Sequence, residues 1–547
     1  MLTPRCPKAV RLYLLTLFLF VGLSGLAAAA DLDAHKLRAF LSAEGLEISG
    51  QSLDASMLRR LYSARGFAPL WMENHMLTPM GRAALTVLGQ SFDQGLDPAA
   101  YYLPEIQSGY AASDNARAVG LELLISSALL RYVNDVAVGR LEPKEENPEL
   151  FVYPDPPDSV PVLEQAVASG DLVKAMTLLP PTYVQYERLK RAVEAYRDLA
   201  NRGGWQQIPD GTTLKPGMRD PRVVALRARL AVTDGAQMGT AADDMFDTAL
   251  VAVVKRVQAR HGLEADGLVG KDSVAALNIS ANDRIRTLLM NMERWRWLPR
   301  ALENRLIVIN AANFRLYVIE DRQIKHSMRI IVGKPYRRTP IFSSRLSNIV
   351  FNPDWTVPPR IAREDLLPKI KKDPSFLTHN GYKVLSDWTT DATVLDPQSI
   401  DWSVYGKGYF PFKLRQLPGA SNALGQVKFM LPNRYHVYLH DTPSREYFDR
   451  QVRSFSSGCV RLSEPFKLVE WLLYYSKEWN TARVQSVLRS GQTVAVPDPS
   501  RTPVYFTYFT AWVDDQNVVQ FRPDIYGRDA ALAAALANQL LTLSTGE

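Results

Sequence analysis

Cysteine is nearly absent from this 547-residue chain, which has only Cys6 and Cys459. That scarcity excludes a disulfide framework. Cys6 lies in a basic leader, so an exported mature form would carry one thiol with no internal partner. Such a thiol reads either as an inert buried side chain, a common fate of free cysteine, or as a reactive group. Long apolar runs are also missing beyond residues 12–26, so no later segment is long enough to span a bilayer. Neither sign of charge dominates: 64 Lys and Arg face 57 Asp and Glu, a net +7. Without a basic cluster, nucleic acid is not an expected partner. The seven histidines are scattered and lack partners at ligand spacing, so no metal or other cofactor is expected.

The leader itself is well formed. Arg5, Lys8 and Arg11 precede an apolar stretch from Leu12 to Leu26, Ala28-Ala29-Ala30 supplies small residues for cleavage, and Asp31 would open the mature chain. Residues 1–30 therefore read as a secretory signal, with an uncleaved membrane anchor as the other reading. Removing its three positive charges from +7 leaves about +4, a modest excess that suits an anionic polymer. Such a length suggests about three domains.

The periodicity divides the chain into an α+β multi-domain protein. Residues 31–205 read as a helical scaffold: Leu121, Leu124, Ile125, Ala128, Leu129 and Tyr132 recur at helical spacing, and Pro154-Asp155-Pro156-Pro157 and Pro180-Pro181 break the run. His35 and His75 find no catalytic partner there. Gly203-Gly204 and Pro209-Asp210-Gly211 mark a linker. Residues 212–280 then form a small three-helix unit, striped by Val223, Leu226 and Leu230 and by Phe246, Leu250, Val253, Val254 and Val257. From Arg305 the period becomes two, and Leu306–Asn310 and Phe314–Ile319 read as a hairpin. Further strands are expected at Ser327–Val332, Lys428–Leu431, His436–His440, Val504–Val513 and Asn517–Phe521, within a mainly-β domain over 300–525. Residues 355–413, irregular and rich in proline and aromatics, read as an inserted cap. Residues 526–547 read as a terminal helix.

The second cysteine sits in Ser456-Ser457-Gly458-Cys459-Val460-Arg461. Nineteen residues earlier, strand alternation places His436, Tyr438 and His440 on one face. Ser463 and Pro465 suit a helix start, so Cys459 falls on a strand-to-helix loop, where a rigid scaffold can aim a nucleophile. A thiol attacks as thiolate, activated by a histidine that takes its proton and later returns it to a leaving amine. Backbone N–H groups around Ser457, Gly458 and Cys459 are candidate donors to the developing oxyanion.

The order of a histidine followed by Ser-x-Gly-Cys-x-Arg resembles the signature of the L,D-transpeptidase catalytic domain (YkuD type). Here it falls on His440, Ser456, Gly458, Cys459 and Arg461. The helical unit, with its turn Asp266-Gly267-Leu268-Val269-Gly270 and closing Leu277-Asn278, resembles a peptidoglycan-binding type 1 domain. The whole arrangement is similar to the large periplasmic subgroup of Gram-negative bacteria (YcbB type). Where many members carry a second histidine, this chain has Ser457, as the large subgroup commonly does.

The resemblance implies a function and assigns roles. Cys459 would be the nucleophile and His440 the base, oriented by the backbone carbonyl of Asp441. Ser457, Gly458 and Arg461 would shape the nucleophile loop, with Arg461 holding either that loop, a substrate carboxylate or a plain ion pair. Trp355, Tyr438 and Ser456 would line the substrate cleft, although aromatic packing also explains the first two. The implied reaction releases D-alanine from a tetrapeptide stem and transfers the acyl group to an amine of another stem, giving diaminopimelate-to-diaminopimelate cross-links in the periplasm. Peptidoglycan stems and glycan would be the partners, and carbapenems would acylate the thiol. A cysteine amidase or endopeptidase of wall peptides would use the same pair, although the papain-like wall hydrolases place cysteine before histidine. A non-catalytic wall-binding scaffold would leave the cysteine motif unexplained.

Overall fold

A computed structural model describes residues 27–545 except 43–45, 75, 111–114, 142–155, 236–242 and 407. The expected leader, His75 and Pro154-Asp155 fall almost wholly or wholly outside the described residues, and His35 is exposed. No helix among the described residues is long and apolar enough to cross a membrane.

The expected helical stripe lies on Asn115–Val138, and all six of its named residues are buried. Around it pack helices Ala55–Ser63, Pro79–Gln90 and Ser159–Ala168, with Tyr62, Trp71 and Tyr101 in their shared core. Glu122 is buried there, and it accepts from the Tyr62 hydroxyl at 2.7 Å and from the N–H groups of Trp71 and Met72 at 2.9 Å. A buried carboxylate is tolerable only when its acceptors are filled in this way.

The last helix of this region, Val184–Asn201, leaves that core and packs on helix Ala281–Arg296, which leads into the β domain. Arg296 is buried at the junction, paired with Glu293 at 2.9 Å and with the Tyr186 hydroxyl at 2.8 Å. The three-helix unit comprises Pro221–Asp234, Thr248–Arg260 and Lys271–Asn278, the first two capped by the Asp220 and Asp247 side chains. These caps satisfy N–H groups that a helix start leaves unpaired. The unit also touches the β domain: His261 stacks on Phe521, and Gln451 donates to the Gly262 carbonyl at 2.7 Å.

Among the described residues, eleven strands form one sheet. In chain order they are β1 (Arg305–Asn310), β2 (Arg315–Glu320), β3 (Gln323–Gly333), β4 (Phe342–Arg345), β5 (Asn348–Phe351), β6 (Val427–Met430), β7 (Leu439–His440), β8 (Ser454–Ser456), β9 (Val460–Leu462), β10 (Val494–Pro497) and β11 (Pro503–Thr507). They pair in the order β10-β5-β6-β7-β9-β3-β2-β1-β11-β4, with β8 against β3. Helix Pro465–Leu472 follows β9, and Arg528–Thr545 ends the described chain.

Three expectations change. The run His436–His440 is a strand only at Leu439–His440. His436 has φ of 55°, within a turn that the Asn433 side chain closes by accepting from Val437 N–H and donating to Val437 O. His436 is therefore exposed and does not share a strand face with His440. Val504–Val513 is two strands, Pro503–Thr507 and Ala511–Val513, parted where Asn291 bonds the Thr510 N–H and hydroxyl. The segment read as irregular is ordered. Between neighbouring strands β5 and β6 it builds a four-stranded sheet from Trp355–Thr356, Lys413–Gln416, Tyr382–Leu385 and Val394–Leu395. Val357, Ile370, Leu377 and Leu414 lie in a core of its own.

Candidate active site

The register of four adjacent strands creates the site. Lys428 on β6 pairs with His440 on β7, His440 with Arg461 on β9, and Arg461 with Ile331 on β3. Paired residues share a face, so these four point the same way. Their neighbours Phe429, Leu439, Val460 and Ile330 point oppositely, into the main core, and are fully buried. Cys459 immediately precedes Val460, and Tyr438 precedes Leu439, so both return to the polar face. A bond from Val460 N–H to Tyr438 O at 3.1 Å fixes their alignment.

His440 is buried, and its Nδ1 lies 2.5 Å from the Asp441 carbonyl oxygen. A carbonyl only accepts, so Nδ1 carries the proton and Nε2 is left as an acceptor. The Asp441 carboxylate serves elsewhere, accepting from Gln426 N–H at 3.0 Å and Arg445 at 2.9 Å. Gly425 makes that possible: it has φ of 61°, and a Cβ there would sit 2.3 Å from the Asp441 carboxylate. Burial, then the Arg461 and Lys428 cations, hold the imidazole pKa down at about 3, against the partial opposing effect of the Asp441 carbonyl. The Cys459 thiol is half-buried, and burial pushes its pKa up against the stabilising N–H and O–H of Tyr438 and the Lys428 and Arg461 charges. Both shifts favour the uncharged forms, a neutral thiol and a neutral imidazole.

The nucleophile turn is internally braced. Ser456 donates to the Cys459 carbonyl at 2.5 Å and accepts from Gly458 N–H at 3.1 Å. Its hydroxyl is thus used within the loop, and at 3% exposure Ser456 is a brace rather than the substrate contact expected. Gly458 N–H, expected at the oxyanion, is likewise engaged. The N–H groups of Ser457 and Cys459 have no acceptor among the described residues. Gly458 has φ of 119°, a left-handed angle that L side chains resist.

Arg461 forms no ion pair and no side-chain hydrogen bond among the described residues, and its buried Nε lacks a partner. Arg461 is half-buried, and with no carboxylate in contact the plain ion-pair reading loses its basis. Trp355 is 9% exposed in the core of the inserted segment, and Tyr438 packs against that core. Burial, then the neighbouring Cys459 sulfur, pushes the Tyr438 pKa well up, and the buried Trp355 indole N–H has no hydrogen-bond partner among the described residues.

Sequence reasoning missed two residues. The Lys428 ammonium lies 4.0 Å from the Tyr438 ring centroid, and burial lowers its pKa. The strand at 428 was legible, but its pairing with His440 was not. Arg337, on the loop after β3, donates to the Ser457 hydroxyl at 2.7 Å; nothing in its local pattern marks it. No cluster of three or more metal-ligating groups occurs among the described residues.

A thiol beside a strand end, on the same face as a buried histidine and with its Sγ 3.9 Å from the His436 carbonyl oxygen, has the residue types of a cysteine acyl-transfer site. Comparison with known proteins narrows the class. Residues 304–505 match the L,D-transpeptidase catalytic domain (YkuD), 219–277 a peptidoglycan binding domain and 56–193 a scaffold domain. The chain is thus similar to L,D-transpeptidases over residues 304–505 and to a "Putative peptidoglycan binding domain" over 219–277. It is 41% identical over 252 residues to a Haemophilus influenzae protein described as "Putative L,D-transpeptidase", covering 46% of this chain and 50% of that one. The chain thus spans about half the length of that curated relative. An L,D-transpeptidase structure from Xylanimonas cellulosilytica is 15% identical, with 55% of this chain and 99% of that one covered and a TM-score of 0.17. One from Mycobacterium smegmatis is 13% identical, with 37% and 58% covered and the same TM-score. At that TM-score neither likeness carries structural weight.

Proposed function

We propose that this protein is a peptidoglycan L,D-transpeptidase that links stem peptides through an acyl-enzyme on Cys459. The observation that carries the reading is the shared face of Cys459 and His440, with His440 Nδ1 tied to Asp441 O so that Nε2 is the base. In the first half-reaction Nε2 takes the thiol proton as sulfur attacks the carbonyl of the third stem residue. The tetrahedral oxygen is received by the Cys459 N–H, with the Ser457 N–H beside it. Collapse expels D-alanine, whose amine takes the proton from His440. In the second half-reaction an amine of a neighbouring stem attacks the thioester and His440 takes its proton; collapse breaks the C–S bond, and the departing Cys459 sulfur regains that proton. The diaminopimelate side-chain amine is the acceptor, giving a diaminopimelate-to-diaminopimelate link.

Arg461 and Lys428, both without ion-pair partners among the described residues, suit a donor that carries carboxylates. Residues 219–277 would hold the enzyme on the wall, placing it in the periplasm as the leader implies. The inserted segment, seated beside Tyr438 through Trp355, would cover the cleft and limit water as a competing acceptor. The test is mass analysis of muropeptides after incubation with the full chain. A new cross-linked dimer supports the reading. A new cut without a dimer supports the amidase or endopeptidase alternative, and an unchanged profile supports a wall-binding scaffold.

A further inference from the structure

Among side chains that do not face the reacting atoms, Arg337 is the most heavily engaged near Cys459. Its side chain is 5% exposed. Nη1 donates to the Ser457 hydroxyl at 2.7 Å, two residues before the nucleophile. Nη2 donates to Glu364 at 2.6 Å and to one Asp365 oxygen at 3.1 Å, and Nη1 also bonds the other Asp365 oxygen. Both carboxylates lie on Ala362–Leu366, where a helix of the inserted segment widens into a π turn. Such turns are rare and occur frequently at functional sites. Here the turn brings two successive carboxylates onto one guanidinium, and Arg360 offsets the extra negative charge by pairing with Glu364 at 3.0 Å.

The Arg337 loop is itself fixed. Arg337 N–H donates to Lys334 O at 2.9 Å, and a Cβ at Gly333 would lie 2.1 Å from Arg337 O. On the same loop, Thr339 Oγ1 donates to the Gly458 carbonyl at 2.8 Å. With Lys334 N–H donating to Ser456 O at 3.0 Å, this loop holds the nucleophile turn at three points and the inserted segment at a fourth.

We propose that Arg337 is a positioning residue that couples the seating of the inserted segment to the setting of the nucleophile turn. Movement of Glu364 and Asp365 is transmitted through one rigid guanidinium to Ser457, and so to the Cys459 thiol and N–H. A displacement of about 1 Å at such a point can cost up to roughly 10²-fold in rate. What the turn does chemically rests on the transpeptidase reading, but the coupling is a property of Cys459 reactivity and can be measured without substrate.

The test cuts each arm separately in the full chain. Ser457→Ala removes the loop arm. Glu364→Gln combined with Asp365→Asn weakens the other arm while leaving amide oxygens that still accept from the buried cation. Circular dichroism and thermal melts check the fold, and Ser457→Ala, at an exposed residue, keeps the test alive if the amide pair unfolds the protein. Two readouts follow: alkylation of Cys459 by iodoacetamide across pH, and kcat and KM on a soluble tetrapeptide stem. Each cut is expected to change the alkylation rate by about threefold or more and to lower kcat about tenfold with KM little altered. The combined variant should be no worse than the more affected parent, because both cuts sever one link. Multiplicative losses, unchanged alkylation, or an effect on KM alone would overturn the coupling. Altered alkylation in a protein that yields no cross-linked product would support the coupling and sink the transpeptidase reading instead.

Discussion

On one face of β6, β7 and β9, Phe429, Leu439 and Val460 are fully buried in the main core. On the other face of the same strands stand Lys428, His440 and Arg461, with Tyr438 and Cys459 one step away. The first face is explained by folding alone, since burying each large apolar side chain contributes about 1.5–3 kcal/mol. The second is not. Two cations there lack ion-pair partners among the described residues, and burial holds an imidazole neutral. An imidazole held neutral costs stability as the pH falls, so burial alone does not account for this face.

The sharpest way to separate the faces is to remove one residue from each. His440→Ala or Cys459→Ser should lower transpeptidation by roughly 10³-fold or more while leaving the melting profile nearly intact. Leu439→Ala, next to His440 in the chain but on the core face, should destabilise the fold by about 2–5 kcal/mol. Its folded fraction, measured by active-site titration, should retain near-parent turnover per site. Loss of turnover per titrated site in Leu439→Ala would blur the division.

Next in size is Arg461→Gln. If its guanidinium meets a substrate carboxylate, the parent should prefer a free-acid stem over its amidated analogue by about 10–100-fold, as a charged hydrogen bond implies. The variant should lose that preference. A discrimination ratio unchanged in Arg461→Gln would assign the residue to the loop instead.

A gentler probe is pH. The His440 pKa is depressed from its ordinary 6.5 to about 3, so between those values the unfolded chain binds a proton that the folded chain refuses. Its contribution to stability is therefore fully present above pH 6.5 and declines as the pH falls toward 3. His440→Gln should flatten that decline in a series of denaturation curves. Burial raises the Cys459 pKa, so alkylation of the empty site should keep climbing into the alkaline range. A plateau near neutral pH would reveal a preformed thiolate–imidazolium pair and contradict the neutral resting state. The smallest effect belongs to His436→Ala: the side chain is exposed, and turnover should change by less than about twofold.

The legible parts of this molecule were those fixed by local chemistry. The helical stripe on 115–138, the β1–β2 hairpin and the Cys459 turn announce themselves by period, glycine and motif. What stayed hidden depends on pairing between distant segments. Lys428 reads as an ordinary strand residue until β6 lies beside β7, and Arg337 as a loop residue until residues 362–366 fold over it. His436 misled because alternation was extended through a turn that Asn433 closes. The inserted segment looked irregular because its strands are two to four residues long, too short to show a period. Ser456 and Gly458 sat inside the recognised motif, yet their hydrogen bonds to one another became visible only with the turn's geometry.

The central claim is that Cys459 is an acyl-accepting nucleophile activated by His440. Its most direct measurement is intact-mass and peptide-mass analysis of the full chain after exposure to a carbapenem, whose strained ring presents an acyl group to the thiol. The expected result is one adduct per chain on the peptide containing Cys459, slow formation in His440→Ala, and essentially none in Cys459→Ser. An adduct on another residue, or one that persists in Cys459→Ser, would contradict the assignment of the nucleophile.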